Sequence, residues 1–389
     1  MFYAGIDIGK FIHEITLIDD KSSKPKSLRF QNTRQGFEKL KQFLPDAQEV
    51  KISIEATGHY WLTVYYFLIQ QNYSVLVVNP LQTDAYRKTK LRKTKTDRQD
   101  SFILAELMRL NLIQETPVAP PWTHQLKSLS RFHFGLVDQI ADLKRQLFSL
   151  LDKVFPEFES LFSHPLISSA RTLLKNYPLP EEIAKLDLSE LKNLLEKSSR
   201  NKFSQEKAIK IKELATSSIG LPYLADAARV QILCLINHLE FIERQLEIID
   251  SHISNLVKTY APYLSSLPGF SDILAGVCLG EIGDISRFAN KNKLAAFAGI
   301  DPTIYSSGEY TAPEHHMSKR GSPYLRRALW IAATIARKYD KELKQLYERK
   351  INQGKHYGTA IGAVARRLVN RLFVVLKEQR PYKLSSVNS

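Results

Sequence analysis

The chain has 389 residues, a formal net charge of +15 and an isoelectric point of about 9.5. This length exceeds the usual size of a single hydrophobic core, so two or more domains are expected. Because Lys and Arg release condensed counterions when they neutralise phosphates, the charge favours nucleic acid over a membrane surface as the large partner. No apolar run approaches the roughly 18 to 20 residues that cross a bilayer, and the first residues lack a signal-peptide pattern. The sequence therefore predicts a cytoplasmic protein with no membrane association.

The first third of the chain alternates strand and helix patterns. FYAGIDIGKFIHEITLID at 2–19 has two apolar runs around a Gly turn and predicts a β-hairpin. EVKISIEAT at 49–57 predicts a strand that ends in an acid, and HYWLTVYYFLIQQN at 59–72 has helical spacing. YSVLVVNP at 73–80 is a continuous apolar run, suited to a strand buried on both faces. We therefore predict an α/β layer domain over residues 1–118.

The middle of the chain, residues 119–258, is predicted to be helical. PVAPPW at 117–122 contains three prolines and forms a hinge, and the residues after it place apolar side chains every three or four positions. Shorter helices are expected over 160–220, before a second long helix at 224–258. Two long helices that flank an insert favour an antiparallel coiled pair that spaces or dimerises domains.

The last third is predicted to be a mostly helical domain over residues 259–380, followed by a tail at 381–389. Its later helices are basic, as in YLRRALWIAATIARKY at 324–339. The only two cysteines of the sequence, Cys234 and Cys278, are too few to staple a secreted fold or bind zinc. Both are expected to be buried thiols.

Four carboxylates fall at strand ends or at a helix start, and we call Asp7, Glu55, Asp97 and Asp100 the four acids. Asp7 interrupts an apolar strand flanked by glycines, where a charge without a partner is costly. Glu55 ends the strand predicted at 49–57, and Asp97 and Asp100 are three residues apart on one face of a helix that begins near Thr96. The four side chains are therefore predicted to meet at one edge of a sheet.

A cluster of this kind repels itself unless hard cations are present, and Mg²⁺ prefers oxygen ligands together with water and phosphates. Two such ions can polarise a phosphodiester and stabilise both the attacking and the leaving oxygen. Taken alone, Asp97 and Asp100 are more often part of a solvated helix face. The basic run directly before them is expected to hold a nucleic-acid backbone through Arg87, Lys88, Lys90, Arg92, Lys93 and Lys95.

A second unusual stretch, AGIDPTIYSSGEYT at 298–311, places Ser306 and Ser307 directly before Gly308. A serine hydroxyl amid cations can attack a phosphodiester, and a covalent phosphoserine would store the bond energy for rejoining. Serine pairs before glycine are more often ordinary turn residues, so the pair alone does not decide the function. The neighbouring cations expected to contact nucleic acid are Lys319, Arg320, Arg326 and Arg327.

These motifs together resemble one family of DNA-rearranging enzymes, the DEDD insertion-sequence transposases of the one-ten group, which includes the Piv-type DNA invertases. Their amino-terminal domain is similar to GIDIGK, IEATGHYW, VVNPLQTDAYR and KTKTDRQDS of this chain. Their carboxy-terminal transposase domain is similar to LPGFSDILAGVCLGEIGDISRF, AAFAGIDP, SSGEY and MSKRGSPYLRRAL. The resemblance covers nearly the whole chain, in matching order.

The resemblance implies a RuvC-like, RNase H-type fold in which the four acids bind metal. It implies that Ser307 is the nucleophile that becomes linked to DNA, with Ser306 as the alternative. The expected activity is DNA transposition or site-specific recombination on double-stranded donor and target DNA, guided by a structured non-coding bridge RNA. The expected assembly is a homodimer or homotetramer, in which one protomer's acids are completed by another's serine domain.

Two other functions compete with this one. A Mg²⁺-dependent Holliday-junction resolvase or structure-specific nuclease would use the four acids to hydrolyse DNA and would leave free ends without a protein adduct. A non-catalytic RNA or DNA binding protein would lose affinity steeply with salt and be indifferent to Mg²⁺. The position inferred for Asp7 argues against the second of these, because a strand interior favours a charge that has a function.

Overall fold

The computed structural model describes residues 1–21, 24–56, 58–89, 96–113, 115–199, 205–302, 306–307, 310–311 and 317–383. The chain divides into two units. The first comprises Met1–Pro120 with Asp284–Ala289, and the second comprises Pro121–Gly283 with Asn290–Ser389. Within the described ranges, every helix is too short or too polar to cross a membrane.

The first unit is built on a five-stranded mixed sheet. Its strands are β1 (Phe2–Ile8), β2 (Ile12–Asp19), β3 (Lys26–Gln31), β4 (Val50–Glu55) and β5 (Ser74–Val78). Their order across the sheet is β3, β2, β1, β4, β5; the first three pair antiparallel, and β1, β4 and β5 run parallel. The predicted hairpin corresponds to β1 and β2. β3 has no clear strand pattern in the sequence, because KSLRFQ is largely polar and only Phe30 is buried.

Helices cover both faces of this sheet. They are α1 (Arg34–Phe43), α2 (Trp61–Gln70), α3 (Pro80–Thr89) and α4 (Asp97–Arg109). On one face, Ile6 and Ile52 share a buried core with Leu40 of α1 and Leu68 of α2. On the other face, α4 packs against β1 and β2. The strand order and the layers are compatible with an RNase H-like domain.

The second unit is almost entirely helical. Its elements are α5 (Pro121–Val154), α6 (Phe158–Leu161), α7 (Ser168–Asn176), α8 (Pro180–Lys185), α9 (Leu188–Ser199), α10 (Gln205–Thr216), α11 (Ala225–Tyr260), α12 (Asp272–Ile282), α13 (Lys291–Ala298), β6 (Ser306–Ser307), β7 (Tyr310–Thr311), α14 (Pro323–Tyr339), α15 (Lys341–Asn352) and α16 (Tyr357–Glu378). Short 3-10 turns span Pro222–Leu224 and Pro262–Ser266, and a third, Ile285–Arg287, belongs to the first unit.

The two long helices α5 and α11 pack side by side in opposite directions. At one end, the Leu221 amide donates to the Lys153 carbonyl at 2.8 Å. At the other end, the rings of Trp122 and Tyr260 stack with centroids 4.9 Å apart. The shorter helices α6 to α10 form the insert between them and share a buried core with both. The structure thus contains the antiparallel pair that the sequence predicts.

The cysteine prediction is half wrong. Cys278 is fully buried in α12, and burial raises the pKa of its thiol. Cys234 is exposed on α11. The buried face of α11 carries Ile232 and Ile236. Because each residue turns an α-helix by about 100°, a side chain two positions from both points away from that face.

Candidate active site

Asp7 and Glu55 lie next to each other at one edge of the sheet. β1 and β4 are parallel neighbours, with Ile6 opposite Ile54, so the residues that follow this pair are adjacent. Asp7 and Gly5 are two positions apart on β1 and therefore face the same side of the sheet. That side is the one on which α4 packs, since Gly5 lies against the α4 backbone. Both acids are half-buried.

The first turn of α4 brings the other two acids to the same edge. Thr96 caps the helix, with its hydroxyl accepting a hydrogen bond from the Gln99 amide at 3.3 Å. Asp97 and Asp100 occupy the first turn, where the positive end of the helix dipole favours carboxylates. Asp97 is exposed, whereas Asp100 is 8% exposed.

The close approach of α4 to β1 depends on a glycine. A Cβ atom on Gly5 would lie 2.1 Å from the Ser101 carbonyl oxygen and 2.5 Å from the Ala105 nitrogen. Only a residue without a side chain therefore allows α4 to pack this close to the strand. The same contact is fixed laterally by a buried hydrogen bond between the Thr16 and Ser101 hydroxyls, at 2.7 Å.

The electrostatics of Asp7 link this residue to the other three acids. The pKa of Asp7 is raised from 3.8 to about 6, chiefly by burial and then by the charges of Asp100, Asp97 and Glu55, in that order. A hydrogen bond from the Ile8 backbone opposes the rise. All three other acids therefore act on one carboxylate, as a cluster at a single site requires.

The described residues contain no group of three or more Asp, Glu, His or Cys side chains already placed to hold a metal ion. The chemistry of the donor set nevertheless fits a hard divalent cation, because it consists of carboxylates that disfavour one another's ionised forms. A bound cation would reverse that repulsion and keep Asp7 ionised at neutral pH. The residues that would hold it are the four acids.

Two further residues of this edge were not identified from the sequence. The Thr83 hydroxyl, in α3, donates to the Glu55 carboxylate at 2.6 Å and is 1% exposed. The Pro80 carbonyl is 2.8 Å from the same hydroxyl, but the single proton favours the charged acceptor. Glu14 lies directly opposite Asp7 on β2. A single sequence gives no signal for either, because the strand pairing and the α3 packing bring them to the site.

The predicted serines lie on a short β-hairpin of the second unit. Ser306 pairs with Thr311, and Ser307 pairs with Tyr310. This backbone position is all that the structure describes of the serines. The basic run begins in α3 with Arg87 and Lys88, and its remaining members lie outside the described residues: Lys90, Arg92, Lys93 and Lys95.

The base of the serine segment is closed by contacts between its flanks. Pro302 and Met317 form a β-bridge, and the Ser318 amide and hydroxyl donate to the Asp301 carbonyl and carboxylate, the first at 2.9 Å. The Lys319 amide donates to the Gly299 carbonyl at 3.1 Å. The segment that carries Ser306 and Ser307 therefore leaves and rejoins the helical framework at adjacent points.

The four predicted cations beside this segment differ in their contacts. Lys319 and Arg320 are exposed. Arg326 donates to the Ala298 carbonyl at 3.3 Å, and Arg327 forms a bidentate pair with Asp138 at 2.7 and 2.9 Å. Lys319 and Arg320 thus have the freer side chains for a nucleic acid, whereas Arg326 and Arg327 also bind within the unit.

A buried network fixes the helix that follows. Glu281, which is 3% exposed, accepts from the Arg131 guanidinium at 2.6 and 3.1 Å and from the Ser322 hydroxyl at 2.8 Å. Ser322 also caps α14 by accepting from the Leu325 amide at 3.1 Å. Three helices, α5, α12 and α14, are joined at this carboxylate.

Comparison with known protein families identifies both halves of the chain. Residues 4–156 match a family model described as a transposase, of the DEDD type in IS110. Residues 261–348 match a model described as the transposase IS116/IS110/IS902 family. The first match contains the four acids, and the second contains the serine segment and the loop that follows it.

Individual relatives align over almost the whole chain. The pilin gene-inverting protein of Moraxella bovis is 25% identical, with 98% of this chain and 97% of the relative aligned. An uncharacterized 44.8 kDa protein of insertion element IS116 from Streptomyces clavuligerus is 22% identical, over 97% and 95%. An uncharacterized 42 kDa protein of IS900 from Mycobacterium paratuberculosis is 24% identical, over 98% and 96%. Because both transposase domains are present in order, this chain belongs to the IS110/IS116 transposase family and is an enzyme that acts on DNA.

Proposed function

We propose that this protein is an insertion-sequence recombinase that cuts and rejoins DNA by serine transesterification assisted by Mg²⁺ at the four acids. The observation that carries the proposal is the convergence of Asp97, Asp100 and Glu55 on Asp7, whose pKa they raise in addition to its burial. Active sites concentrate such perturbed groups, because catalysis uses charges that folding alone would not gather. The RuvC-like assignment of the first unit rests on this site and on its strand order.

The proposed chemistry exchanges one ester bond for another. The Ser307 hydroxyl attacks the scissile phosphorus, its Oγ–P bond forms, and one P–O bond of the DNA strand breaks. The hydroxyl proton goes to a base, and the departing DNA oxygen takes up a proton. The reverse reaction with a different strand restores the phosphodiester, so no ATP is required. Ser306 is the alternative nucleophile.

The role of the four acids is to hold the divalent ions, which we propose are two Mg²⁺ per site. When bound, such ions polarise the phosphodiester and stabilise charge on its oxygens. The chain's own contribution is to position the ligands. The Thr83 hydroxyl holds one oxygen of Glu55, and the Gly5 contact seats Asp97 and Asp100 beside Asp7.

The proposed partners are double-stranded donor and target DNA and a structured bridge RNA that guides their recognition. Support for a polyanionic partner comes from the net charge of +15 and from the exposed Lys319 and Arg320. We propose a homodimer or homotetramer in the cytoplasm, assembled through the outer faces of α5 and α11. Phe241 and Ile248, which are 53% and 52% exposed on α11, support such a contact.

The test is detection of a covalent protein–DNA adduct. The full-length protein would be incubated with Mg²⁺, its co-purified RNA and matching donor and target DNA, then denatured and digested for mass spectrometry. We expect a nucleotide linked to Ser307, lost in Ser307→Ala and kept in Ser306→Ala. An adduct on Ser306 would exchange the two assignments. Efficient recombination with no adduct on either serine would overturn the proposed nucleophile.

A resolvase or nuclease is the second candidate, favoured by one observation: the four acids belong to a single unit of the compatible RNase H-like type. Such an enzyme would cut a branched DNA through activated water. The same experiment separates the two functions, because the nuclease produces free 5′-phosphate or 3′-phosphate ends and leaves the protein unmodified.

A further inference from the structure

A row of charged residues extends the acidic edge across the antiparallel half of the sheet. Glu14 on β2 is opposite Asp7 on β1 and also opposite Arg29 on β3. Directly paired residues of neighbouring strands point to the same face. Asp7, Glu14 and Arg29 therefore form one row on the side of the sheet that α4 covers, and Arg29 is exposed at its end.

The packing of α4 places a second arginine over this row. The Thr16 hydroxyl contacts the Ser101 hydroxyl at 2.7 Å and the Ser27 hydroxyl at 3.1 Å, which joins α4 to β2 and β3 at one level. Glu14 lies two residues from Thr16 on β2, and Arg29 lies two residues from Ser27 on β3. Both are displaced toward the acidic edge, and they pair with each other.

On α4, one turn from Ser101 in the same direction is Arg98, whose carbonyl accepts from the Ser101 hydroxyl at 3.0 Å. Three helix residues advance about 4.5 Å and two strand residues about 6.6 Å, so Arg98 comes near the level of Glu14 and Arg29. Arg98 is exposed.

Both arginines act on Glu14 but remain available to a ligand. Burial is the main cause that raises the pKa of Glu14, and Asp97 adds to it, whereas Arg29 and Arg98 lower it. Across the described part of the chain, neither guanidinium forms a hydrogen bond or a salt bridge. Two exposed positive charges thus act on one carboxylate in the row that begins at Asp7.

We propose that Arg29 and Arg98, which we call the arginine subsite, bind a backbone phosphate of the nucleic-acid strand that passes over the four acids, and that the charge of Glu14 attracts both guanidiniums to this end of the row. The proposal rests on the proposed function, because the acids define which strand is held there. Guanidinium groups suit this role, since their planar donors bind phosphate oxygens in pairs. The phosphodiester is common to DNA and RNA, so either strand is chemically suitable.

The experiment measures the salt dependence of binding. Fluorescence anisotropy would follow the full-length protein with a labelled single-stranded DNA and with an RNA of the same sequence, in Ca²⁺ so that the acids carry a cation. The variants are Arg29→Gln and Arg98→Gln, with Arg29→Lys as the charge-conserving variant. Lys26→Gln is the matched control, because Lys26 is an exposed cation on the same strand, at an odd number of positions from Arg29 and hence on the opposite face.

Each lost phosphate contact on a single strand lowers the slope of log affinity against log salt by about 0.7, which is a factor of about five in affinity at 0.1 M salt. We expect this loss in both Gln variants and not in Arg29→Lys or Lys26→Gln. A loss with DNA alone, RNA alone or both supports the subsite and identifies its strand. Slopes equal to those of wild type with both nucleic acids would overturn it.

The outcome is independent of the proposed chemistry, which the serine adduct tests separately. If the adduct forms on Ser307 and the slopes do not change, the subsite is wrong and the recombinase stands. If the slopes change and no adduct forms, the subsite is a nucleic-acid site of a different enzyme. The unfolding midpoint of each variant is also measured. A midpoint equal to that of wild type shows that a change in slope is not caused by a folding defect.

Discussion

Buried carboxylates have opposite surroundings in the two units of this protein. In the second unit, Glu281 is surrounded by donors from Arg131 and Ser322, and Asp340 accepts from Arg371 at 2.8 Å. In the first unit, Asp7 is half-buried among three other acids, and its pKa rises to about 6. Opposite charges that satisfy one another are what a stable framework requires, whereas like charges gathered at one edge are a cost to folding. The contrast is what we expect if the acids of the first unit have a chemical role and the buried ion pairs of the second unit a structural one.

The largest effect is expected when one of the four like charges of the first unit is removed. Asp7→Asn relieves the repulsion but removes a proposed metal ligand. We expect recombination to fall by more than the 10- to 100-fold that losing an outer partner of a metal ligand typically costs. The measurement is the recombination rate on matched DNA substrates in Mg²⁺. A variant with wild-type activity would show that the fold tolerates a buried carboxylate at Asp7 and that Asp7 is not part of the active site.

In the second unit, removing a buried carboxylate should lower the free energy of unfolding. Glu281→Ala leaves Arg131 and Ser322 without their shared acceptor, and we expect the free energy of unfolding to fall by about 3 to 5 kcal/mol. Arg145→Ala is the matched control, on the helix that carries Arg131, because Arg145 and Asp142 form an exposed ion pair, for which about 1 kcal/mol or less is expected. Urea unfolding of both variants gives the values. Equal losses would contradict the structural role of the buried network.

Thr83 tests whether a residue that only positions a metal ligand affects metal binding, because its hydroxyl donates to the Glu55 carboxylate. Thr83→Val keeps the side-chain shape and removes the donor, so we expect affinity for Mn²⁺ to weaken by about 10- to 100-fold. Thr83→Ser should retain it. Thr63→Val is the control, since Thr63 is exposed in α2 and donates to the Tyr60 carbonyl. The measurement is Mn²⁺ binding by electron paramagnetic resonance, which does not depend on activity. Similar affinities for Thr83→Val and Thr83→Ser would leave Thr83 with a packing role only.

The smallest effect is a pH dependence of stability. Without metal, the pKa of Asp7 is about 6 in the folded chain against 3.8 for the free group, so the folded state binds more protons between these values. The contribution of Asp7 to the free energy of unfolding should therefore fall as pH rises through that window. Melting temperatures in a chelator, compared between wild type and Asp7→Asn, should converge toward low pH and favour the variant at neutral pH. Parallel curves would contradict the raised pKa.

Much of the first unit could be predicted from its sequence. The hairpin, the strand ending in Glu55 and the helix beginning after Thr96 follow from apolar periodicity and a capping residue, which are local features. The meeting of the four acids also follows, because parallel strands end at one edge. β3 was missed because it has one buried residue, and its omission hid Arg29 from the site.

The long-range partners could not be predicted. In the sequence, Gly5 is only a glycine that flanks the apolar residues around Asp7, whereas in the structure it lets α4 approach the strand. Thr83 and Glu14 reach the site through helix packing and strand register, which no local pattern specifies. Likewise, Glu281 lies in an apolar helix, and its partners are 150 and 41 residues away along the chain.

The central claim is that the four acids form one metal site. Its most direct test is calorimetric titration of Mn²⁺ into the full-length protein and into Asp7→Asn, Glu55→Gln, Asp97→Asn and Asp100→Asn. The account predicts that every substitution weakens the same binding event, with protons released on binding near pH 6 in wild type but not in Asp7→Asn. Mn²⁺ binding that is unchanged in all four variants would contradict it.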